Sequence, residues 1–207
     1  MNRGRWTGTG LLVVISAPSG GGKTTVINSL RRRRSEFLYS ISVTTRPKRP
    51  GERTGVHYYF ASADEFERMK RAGELVEWAT VHGKSYGTPR ANIDRAFRQK
   101  RIMLFDLDVQ GAASVRQALP GVVSIFLLPP SMTALVRRLK GRRSDDKAAI
   151  ARRIETARTE LARADEYDYL VMNDDLDLCV SDCEAIIRAE LLRREHHPSQ
   201  AVADSRT

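Results

Sequence analysis

An apolar run that leads directly into a glycine-rich loop limits what this chain can fold into. Residues 11–16 are mostly apolar and β-branched, which predicts a strand buried on both faces, as in a parallel sheet. The next eight residues match the phosphate-loop pattern G-x-x-x-x-G-K-[ST] at every fixed position except the first: Ala17-Pro18-Ser19-Gly20-Gly21-Gly22-Lys23-Thr24. The pattern requires a helix next, and we expect one from about Thr25 to residue 34.

The residue types of this loop suit the binding of a nucleoside triphosphate. The glycines let successive N–H groups turn toward phosphate oxygens, and the helix directs its positive end at the same anion. Lys23 supplies a positive charge for the β- and γ-phosphates, and Thr24 supplies a hydroxyl for Mg²⁺. The loop therefore predicts an ATP-type site formed by residues 17–25. The alternative is a glycine-rich turn that only joins a strand to a helix.

Composition excludes several classes of protein. The 207 residues carry a net charge of +10, which fits either nucleic acid or an anionic small substrate as partner. The arginines lie in short blocks without interleaved aromatic residues, which favours the small substrate. No apolar run approaches the ~20 residues that a membrane span needs, and the two cysteines, Cys179 and Cys183, are expected on one face of a helix. We expect a cytoplasmic protein that neither spans a membrane nor depends on nucleic acid.

Strand-like and helix-like segments alternate along the chain. We predict strands at residues 11–16, 37–42, 56–60, 74–82, 102–108, 122–128 and 169–172. We predict helices at residues 25–34, 62–72, 88–100, 109–119, 131–140, 147–164 and 177–194, with Thr88 as an N-cap and Pro89 as the first helical residue. This order predicts an α/β fold, a parallel sheet flanked by helices. Residues 1–10 are expected to form a flexible leader, and residues 195–207 a disordered tail.

The segment from residue 42 to residue 88 interrupts the alternation and concentrates polar side chains. These are Ser42, Arg46, Arg49, Tyr58, Glu77, Tyr86 and Thr88. Two arginines and two tyrosines suit a second phosphate group, and a carboxylate such as that of Glu77 can accept two parallel hydrogen bonds from guanine. Tyr59, Phe60 and Trp78 are expected to pack in the core instead. On chemistry alone, a polar surface loop is the alternative.

A series of motifs in this chain resembles the guanylate kinase family. The motifs occur in the order and spacing of that family and cover residues 11–194. They are Ser16-Ala17-Pro18-Ser19-Gly20-Gly21-Gly22-Lys23, Val43-Thr44-Thr45-Arg46-Pro47, Gly51-Glu52, His57-Tyr58-Tyr59-Phe60, Glu77-Trp78-Ala79, Tyr86-Gly87-Thr88, Asp106-Leu107-Asp108-Val109-Gln110-Gly111 and Val171-Met172-Asn173-Asp174-Asp175.

The resemblance implies Mg²⁺-dependent transfer of a phosphoryl group from ATP to GMP, with dGMP as a further candidate acceptor. It also implies a kinase core at residues 11–41 and 89–194, a small mixed α/β GMP-binding insertion at residues 42–88, and a helical lid at residues 138–153. By this resemblance Arg46, Arg49, Tyr58 and Tyr86 hold the GMP phosphate, and Ser42, Glu77 and Thr88 read guanine, with Asp108 as a possible fourth. Asp106 acts through the water shell of the metal, Asn173 lies near adenine, and Arg138, Arg142 and Arg153 act from the lid.

This chain departs from the family at a few positions. Thr88 stands where serine is frequent, and it keeps the hydroxyl. Arg143 and Ala148 stand where glycine and an acidic residue are frequent, which affects the lid and not the reaction.

Two other functions are compatible with parts of the pattern. A non-catalytic interaction module of the same fold would lack an intact phosphate loop, whereas this chain has Gly22, Lys23 and Thr24. A kinase for a phosphorylated sugar would share the loop but lack the guanine-reading pair, Glu77 and Thr88.

Overall fold

The computed structural model describes residues 10–81, 83–140 and 147–193. Residues 1–9, the tail from residue 194 onward and the segment that contains Arg142 and Arg143 lie outside the described residues. The predictions for the leader, the tail and Arg142 are therefore not addressed by the structure.

Outside residues 42–88, strands and helices follow one another in the order that the sequence predicts. In chain order they are β1 (Leu11–Ser16), α1 (Lys23–Arg33), β2 (Phe37–Tyr39), β3 (Val43–Thr44), β4 (Tyr59–Phe60), α2 (Ala63–Arg71), β5 (Leu75–Val81), β6 (Lys84–Pro89), α3 (Arg90–Arg98), β7 (Ile102–Asp106), α4 (Val109–Ala118), β8 (Val123–Leu128), α5 (Met132–Lys140), α6 (Lys147–Leu161), a 3-10 turn (Ala164–Glu166), β9 (Tyr169–Met172) and α7 (Leu176–Leu192).

Five strands form a parallel sheet in the order β2-β7-β1-β8-β9, so the strand that precedes the phosphate loop is central. Val13 of β1 pairs with Leu104 of β7 on one side and with Val123 of β8 on the other. Because the loop follows the central strand, it emerges at the carboxyl edge of the sheet, where α/β proteins bind ligands.

Successive side chains of β1 point into two cores on opposite faces of the sheet. Val13 and Ile15 pack with α1 and α7 through Val26, Leu30, Cys179, Cys183 and Ile187. Leu12 and Val14 pack with α3 and α4 through Ile93, Ala96, Ala112 and Val115. Each fully buried aliphatic side chain contributes about 1.5–3 kcal/mol, so helices on both faces hold the loop-bearing strand in place. The two cysteines are unpaired thiols in the first core, which confirms their helical, packing role.

A second sheet lies in the inserted region, in the order β4-β3-β6-β5. β3 pairs with β4 in parallel and with β6 in antiparallel fashion, and β5 and β6 form an antiparallel pair. Asn92 of α3 joins the start of the insertion to its end, because its amide nitrogen donates to Ser40 Oγ at 2.9 Å and to the Ile41 carbonyl at 3.1 Å.

Several sequence predictions in and beside the insertion are wrong. Thr88 does not cap a helix: it is a strand residue paired with Glu77, and α3 begins at Arg90. No strand was predicted at residues 84–89 or at the pair Val43–Thr44, yet they form β6 and β3. Tyr59 and Trp78 are exposed instead of packed in the core, and the Trp78 ring lies 5.2 Å from the Lys70 ammonium.

Other predicted strands are present but shorter than expected. The strand expected at residues 37–42 ends at Tyr39, and the one expected at 56–60 is reduced to β4. The strand expected at 102–108 ends at Asp106, which separates the two carboxylates: Asp108 is the N-cap of α4 and accepts a hydrogen bond from the Gly111 N–H at 2.8 Å.

Candidate active site

The phosphate loop has the backbone that its glycines predict. Gly20 and Gly22 have φ angles of 82° and 85°, a region that side chains with a Cβ rarely adopt. Gly21 must also lack a side chain, because a Cβ there would lie 2.9 Å from the Ala17 Cβ and 2.8 Å from the Pro18 carbonyl. The loop therefore accommodates alanine at its first position because its middle glycine, Gly21, has no side chain.

Residues 17–25 line a cavity of about 350 Å³. The helix α1 begins at Lys23, two residues earlier than predicted, so its N-terminus faces this cavity directly. The other lining residues are Asp108, Thr156 and Glu160. A cavity that combines a helix N-terminus with loop N–H groups is suited to a chain of phosphates.

Asn173 supports the loop from the end of β9. It is buried, and its amide nitrogen donates to the Gly21 carbonyl at 2.6 Å. Arg138 of α5 in turn donates to the Asn173 carbonyl at 2.9 Å. The structure thus places Asn173 directly against the loop and Arg138 behind it, and their predicted roles toward adenine and the transferred phosphoryl group stay predictions.

Lys23 joins the loop to the end of β7. Its ammonium lies 2.9 Å from Asp106 Oδ1 and donates to the Leu107 carbonyl at 2.5 Å. These contacts use two of the three N–H donors of the ammonium. Lys23 and Thr24, with Asp106 and Asp108, also line a second cavity of about 320 Å³ on the side of the insertion.

The second cavity collects most of the side chains predicted to bind GMP. Ser42, Tyr58, Glu77 and Tyr86 line it, as does Asp108. The rings of Tyr58 and Tyr86 meet edge to face with centroids 6.0 Å apart, and burial raises the pKa of Tyr58. The Tyr58 hydroxyl therefore stays protonated and able to donate near neutral pH.

Glu77 is a buried carboxyl group, and Thr88 holds it in place. The Thr88 hydroxyl donates to Glu77 Oε1 at 2.6 Å across the β5–β6 pair. Burial is the largest effect on this group and raises the pKa of Glu77 to about 7, although the hydrogen bond from Thr88 acts in the opposite direction. Within the described ranges Thr88 does not line the cavity, so the structure brings it to the site as a neighbour of Glu77.

Arg46 lies beside the cavity, and one carboxylate, that of Glu52, contacts both Arg46 and the Arg49 backbone. Glu52 accepts from the two terminal nitrogens of Arg46 at 2.7 and 3.1 Å, and from the Arg49 backbone N–H at 2.8 Å. These hydrogen bonds, that of Arg46 foremost, lower the pKa of Glu52 to about 2. The Arg46 guanidinium also lies 5.2 Å from the centroid of the Tyr58 ring, so it is held at the wall of the cavity.

Sequence reasoning gave no site role to two glutamates, Glu52 and Glu160. Glu52 could have been found, because an acid three residues after Arg49 in an arginine-rich turn suggests an ion pair. Glu160 Oε2 accepts a hydrogen bond from the Ser19 backbone N–H at 2.7 Å across 141 positions of sequence. Local spacing carries no signal of such a contact.

The lid prediction is only partly addressed. Arg153 lies on α6, which packs against α5 through Leu135, Leu139 and Ala157. Arg142 lies outside the described residues, so the expected face shared by Arg138 and Arg142 is not seen.

The described ranges contain no cluster of three or more histidine, cysteine or acidic side chains arranged to hold a metal ion. The oxygen donors beside Lys23 include the Thr24 hydroxyl and the carboxylates of Asp106 and Asp108. This sparse oxygen set is typical of Mg²⁺ sites in which substrate phosphates complete the coordination. Among the helices of residues 10–193 that the structure describes, none has the length and apolarity to span a membrane.

Comparison with known proteins agrees with the geometry. The sequence model of the family described as guanylate kinase matches residues 9–190. A guanylate kinase of Chelativorans sp. (strain BNC1) is 48% identical over 190 residues, which cover 91% of this chain and 87% of that protein. One from Gluconobacter oxydans (strain 621H) is 47% identical over 94% of this chain and 95% of its own length. The crystal structure of guanylate kinase from Anaplasma phagocytophilum superposes with a TM-score of 0.78 at 32% identity, covering 98% of both chains.

Proposed function

The chain belongs to the guanylate kinase family and phosphorylates GMP with ATP, and we propose that the loop cavity holds ATP and the insertion cavity holds GMP. The observation that carries this assignment is that the two cavities share Lys23, Thr24 and Asp108. A phosphoryl donor and its acceptor must meet end to end for in-line transfer, and two cavities that share walls provide such a meeting point.

In the donor cavity, the loop N–H groups and Lys23 bind the β- and γ-phosphates. Thr24 and Asp106 are the residues that would hold Mg²⁺, Thr24 by its hydroxyl and Asp106 through water. When bound, Mg²⁺ neutralises charge on the phosphates. Lys23 stands between the two substrates because Asp106 and the Leu107 carbonyl hold its ammonium there.

In the acceptor cavity, Glu77 reads guanine. Its ionised carboxylate accepts hydrogen bonds from the guanine N1–H and exocyclic amine, with Ser42, Thr88 and Asp108 around it. Adenine offers no such pair of adjacent donors on this edge. Tyr58, Tyr86, Arg46 and Arg49 bind the phosphate of GMP, and Glu52 keeps the two arginines in position.

A phosphate oxygen of GMP forms the new bond to the γ-phosphorus while the bond to the ADP oxygen breaks. No covalent enzyme intermediate and no general base are needed, because a phosphate monoester is already largely ionised at neutral pH. Lys23 and the arginines at positions 138, 142 and 153 stabilise the developing charge, and closure of residues 138–153 excludes water. We also propose that the enzyme is cytoplasmic and accepts dGMP.

The test is ADP release from ATP and Mg²⁺ with GMP, dGMP, AMP, CMP and UMP offered separately, and with a Lys23→Ala preparation as a background control. We expect turnover with GMP and dGMP alone. Equal turnover with AMP would refute the assignment of Glu77. ATP binding without turnover on any nucleotide would favour the interaction module or the sugar-phosphate kinase.

A further inference from the structure

The carboxylate of Glu160 accepts a hydrogen bond from a backbone N–H group of the phosphate loop. Glu160 lies in the last turn of α6 and is partly buried, and its Oε2 accepts from the Ser19 N–H at 2.7 Å. It lines the same cavity as residues 17–25. Burial raises the pKa of Glu160, while the bond from Ser19 and the charge of Lys23 act in the opposite direction.

This contact resembles the one that a phosphate would make. Backbone N–H groups of such a loop bind anionic oxygens, and a carboxylate oxygen is chemically close to a phosphate oxygen. A triphosphate and an ionised Glu160 in one cavity of about 350 Å³ repel each other, because water screens charges poorly in partly buried sites. The carboxylate has to leave the loop when the triphosphate enters.

The same face of α6 carries a positive charge. Seven residues of an α-helix make almost two full turns, so Arg153 and Glu160 point in nearly the same direction. Thr156 lies between them on this face and also lines the cavity. Seven residues also rise about 10.5 Å along the helix axis, so Arg153 lies two turns away from Glu160, and a movement of α6 shifts both charges relative to the loop.

We propose that Glu160 is a positioning residue that fastens α6 to the phosphate loop in the free enzyme and is displaced by ATP. Binding of ATP thereby frees the helix that carries Arg153. This inference rests on the proposed donor site, and it adds a coupling between ATP binding and the position of α6.

The test compares Glu160→Gln with Glu155→Gln. Glutamine at position 160 keeps the size of the side chain and an oxygen acceptor but removes the charge. Glu155 lies on the exposed side of the same helix, so its substitution changes the net charge equally without touching the loop. We measure the Kd of ATP with Mg²⁺ in the absence of GMP, the Kd of GMP, and hydrogen exchange of the α6 amides in the free protein.

We expect Glu160→Gln to bind ATP about 5-fold more tightly than the wild type, with the Kd of GMP unchanged within about 2-fold. Its α6 amides should exchange faster in the free protein, because the attachment to the loop is weaker. Glu155→Gln should match the wild type in all three measurements.

Unchanged or weaker ATP binding by Glu160→Gln would overturn the inference. Equal ATP binding by the wild type and Lys23→Ala would instead contradict the proposal that the loop cavity binds ATP, and the inference about Glu160 would fail with it. Tighter ATP binding with unchanged exchange of α6 would show that the carboxylate only repels ATP and does not fasten the helix, which also contradicts the proposal.

Discussion

Protonation of Glu77 should control both the stability of the free enzyme and its affinity for GMP. Glu77 is 7% exposed, and burial raises the pKa of its carboxyl group to about 7. An unfolded glutamate titrates near pH 4.5, so the folded state binds the proton more tightly. Between these two pH values the folded chain carries more protons than the unfolded chain, and the free energy of unfolding must therefore fall as pH rises.

The size of the effect follows from the two pKa values. Linkage gives a loss of about 2 kcal/mol in the free energy of unfolding between pH 5.5 and pH 8 that is due to Glu77 alone. Glu77→Gln removes this loss, because a neutral amide has no proton to release. We expect the variant to gain about 2 kcal/mol relative to the wild type over that range, measured by urea denaturation at both pH values.

The affinity for GMP should rise with pH, whereas the free energy of unfolding falls. Guanine needs the ionised carboxylate, which is about one-tenth of the population at pH 6 and about nine-tenths at pH 8. The wild type should therefore bind GMP about 10-fold more tightly at pH 8 than at pH 6 through this group. The GMP phosphate also titrates near pH 6, and Glu77→Gln serves as the control because it shares that titration.

Calorimetric titration of both proteins with GMP at pH 6, 7 and 8 gives the ratio of their affinities. Suppose that this ratio does not change with pH and that the stabilities of the wild type and Glu77→Gln depend on pH equally. Both the raised pKa of Glu77 and its role in binding guanine would then be refuted. A pH-dependent stability with a constant ratio would leave the burial argument intact and remove the guanine-reading role.

Two further changes test other parts of the site. Lys23→Ala should lower turnover by at least about 10³-fold and leave the Kd of GMP within about 2-fold, because the ammonium acts on the transferred group; normal turnover would contradict the role of the loop. Glu52→Gln should raise the KM for GMP by about 10-fold, since Arg46 and Arg49 lose the carboxylate that positions them. Glu74→Gln, which removes an exposed partner of Arg68 in the same insertion, should change the KM by less than about 2-fold.

The parallel sheet and the phosphate loop were predictable from the sequence, because both have strong local signals. A buried strand such as β1 is a continuous apolar run, and the loop is defined by fixed spacing. The order of the strands in the sheet depends on contacts between distant segments, so no local pattern predicts it.

The second sheet was harder to predict. Strands of two residues such as β3 and β4 are too short to show alternation. The Thr88-Pro89 pair is a good helix start by local chemistry, yet pairing with Glu77 keeps Thr88 in a strand. Tertiary contacts outweighed local preference there. The approach of Glu160 to Ser19 depends on how two distant segments pack, and no local pattern reports it.

The hydrogen bonds of Asn92 join the two points at which the second sheet meets the first. The side chains proposed to bind GMP, apart from Asp108, are encoded in one uninterrupted stretch of the gene, residues 42–88, whereas the loop cavity is lined by residues 17–25 together with Asp108, Thr156 and Glu160. Acceptor preference can evolve through changes confined to that stretch while the folding of the larger sheet is preserved. A change of donor would need coordinated changes in the loop, at the end of β7 and in α6.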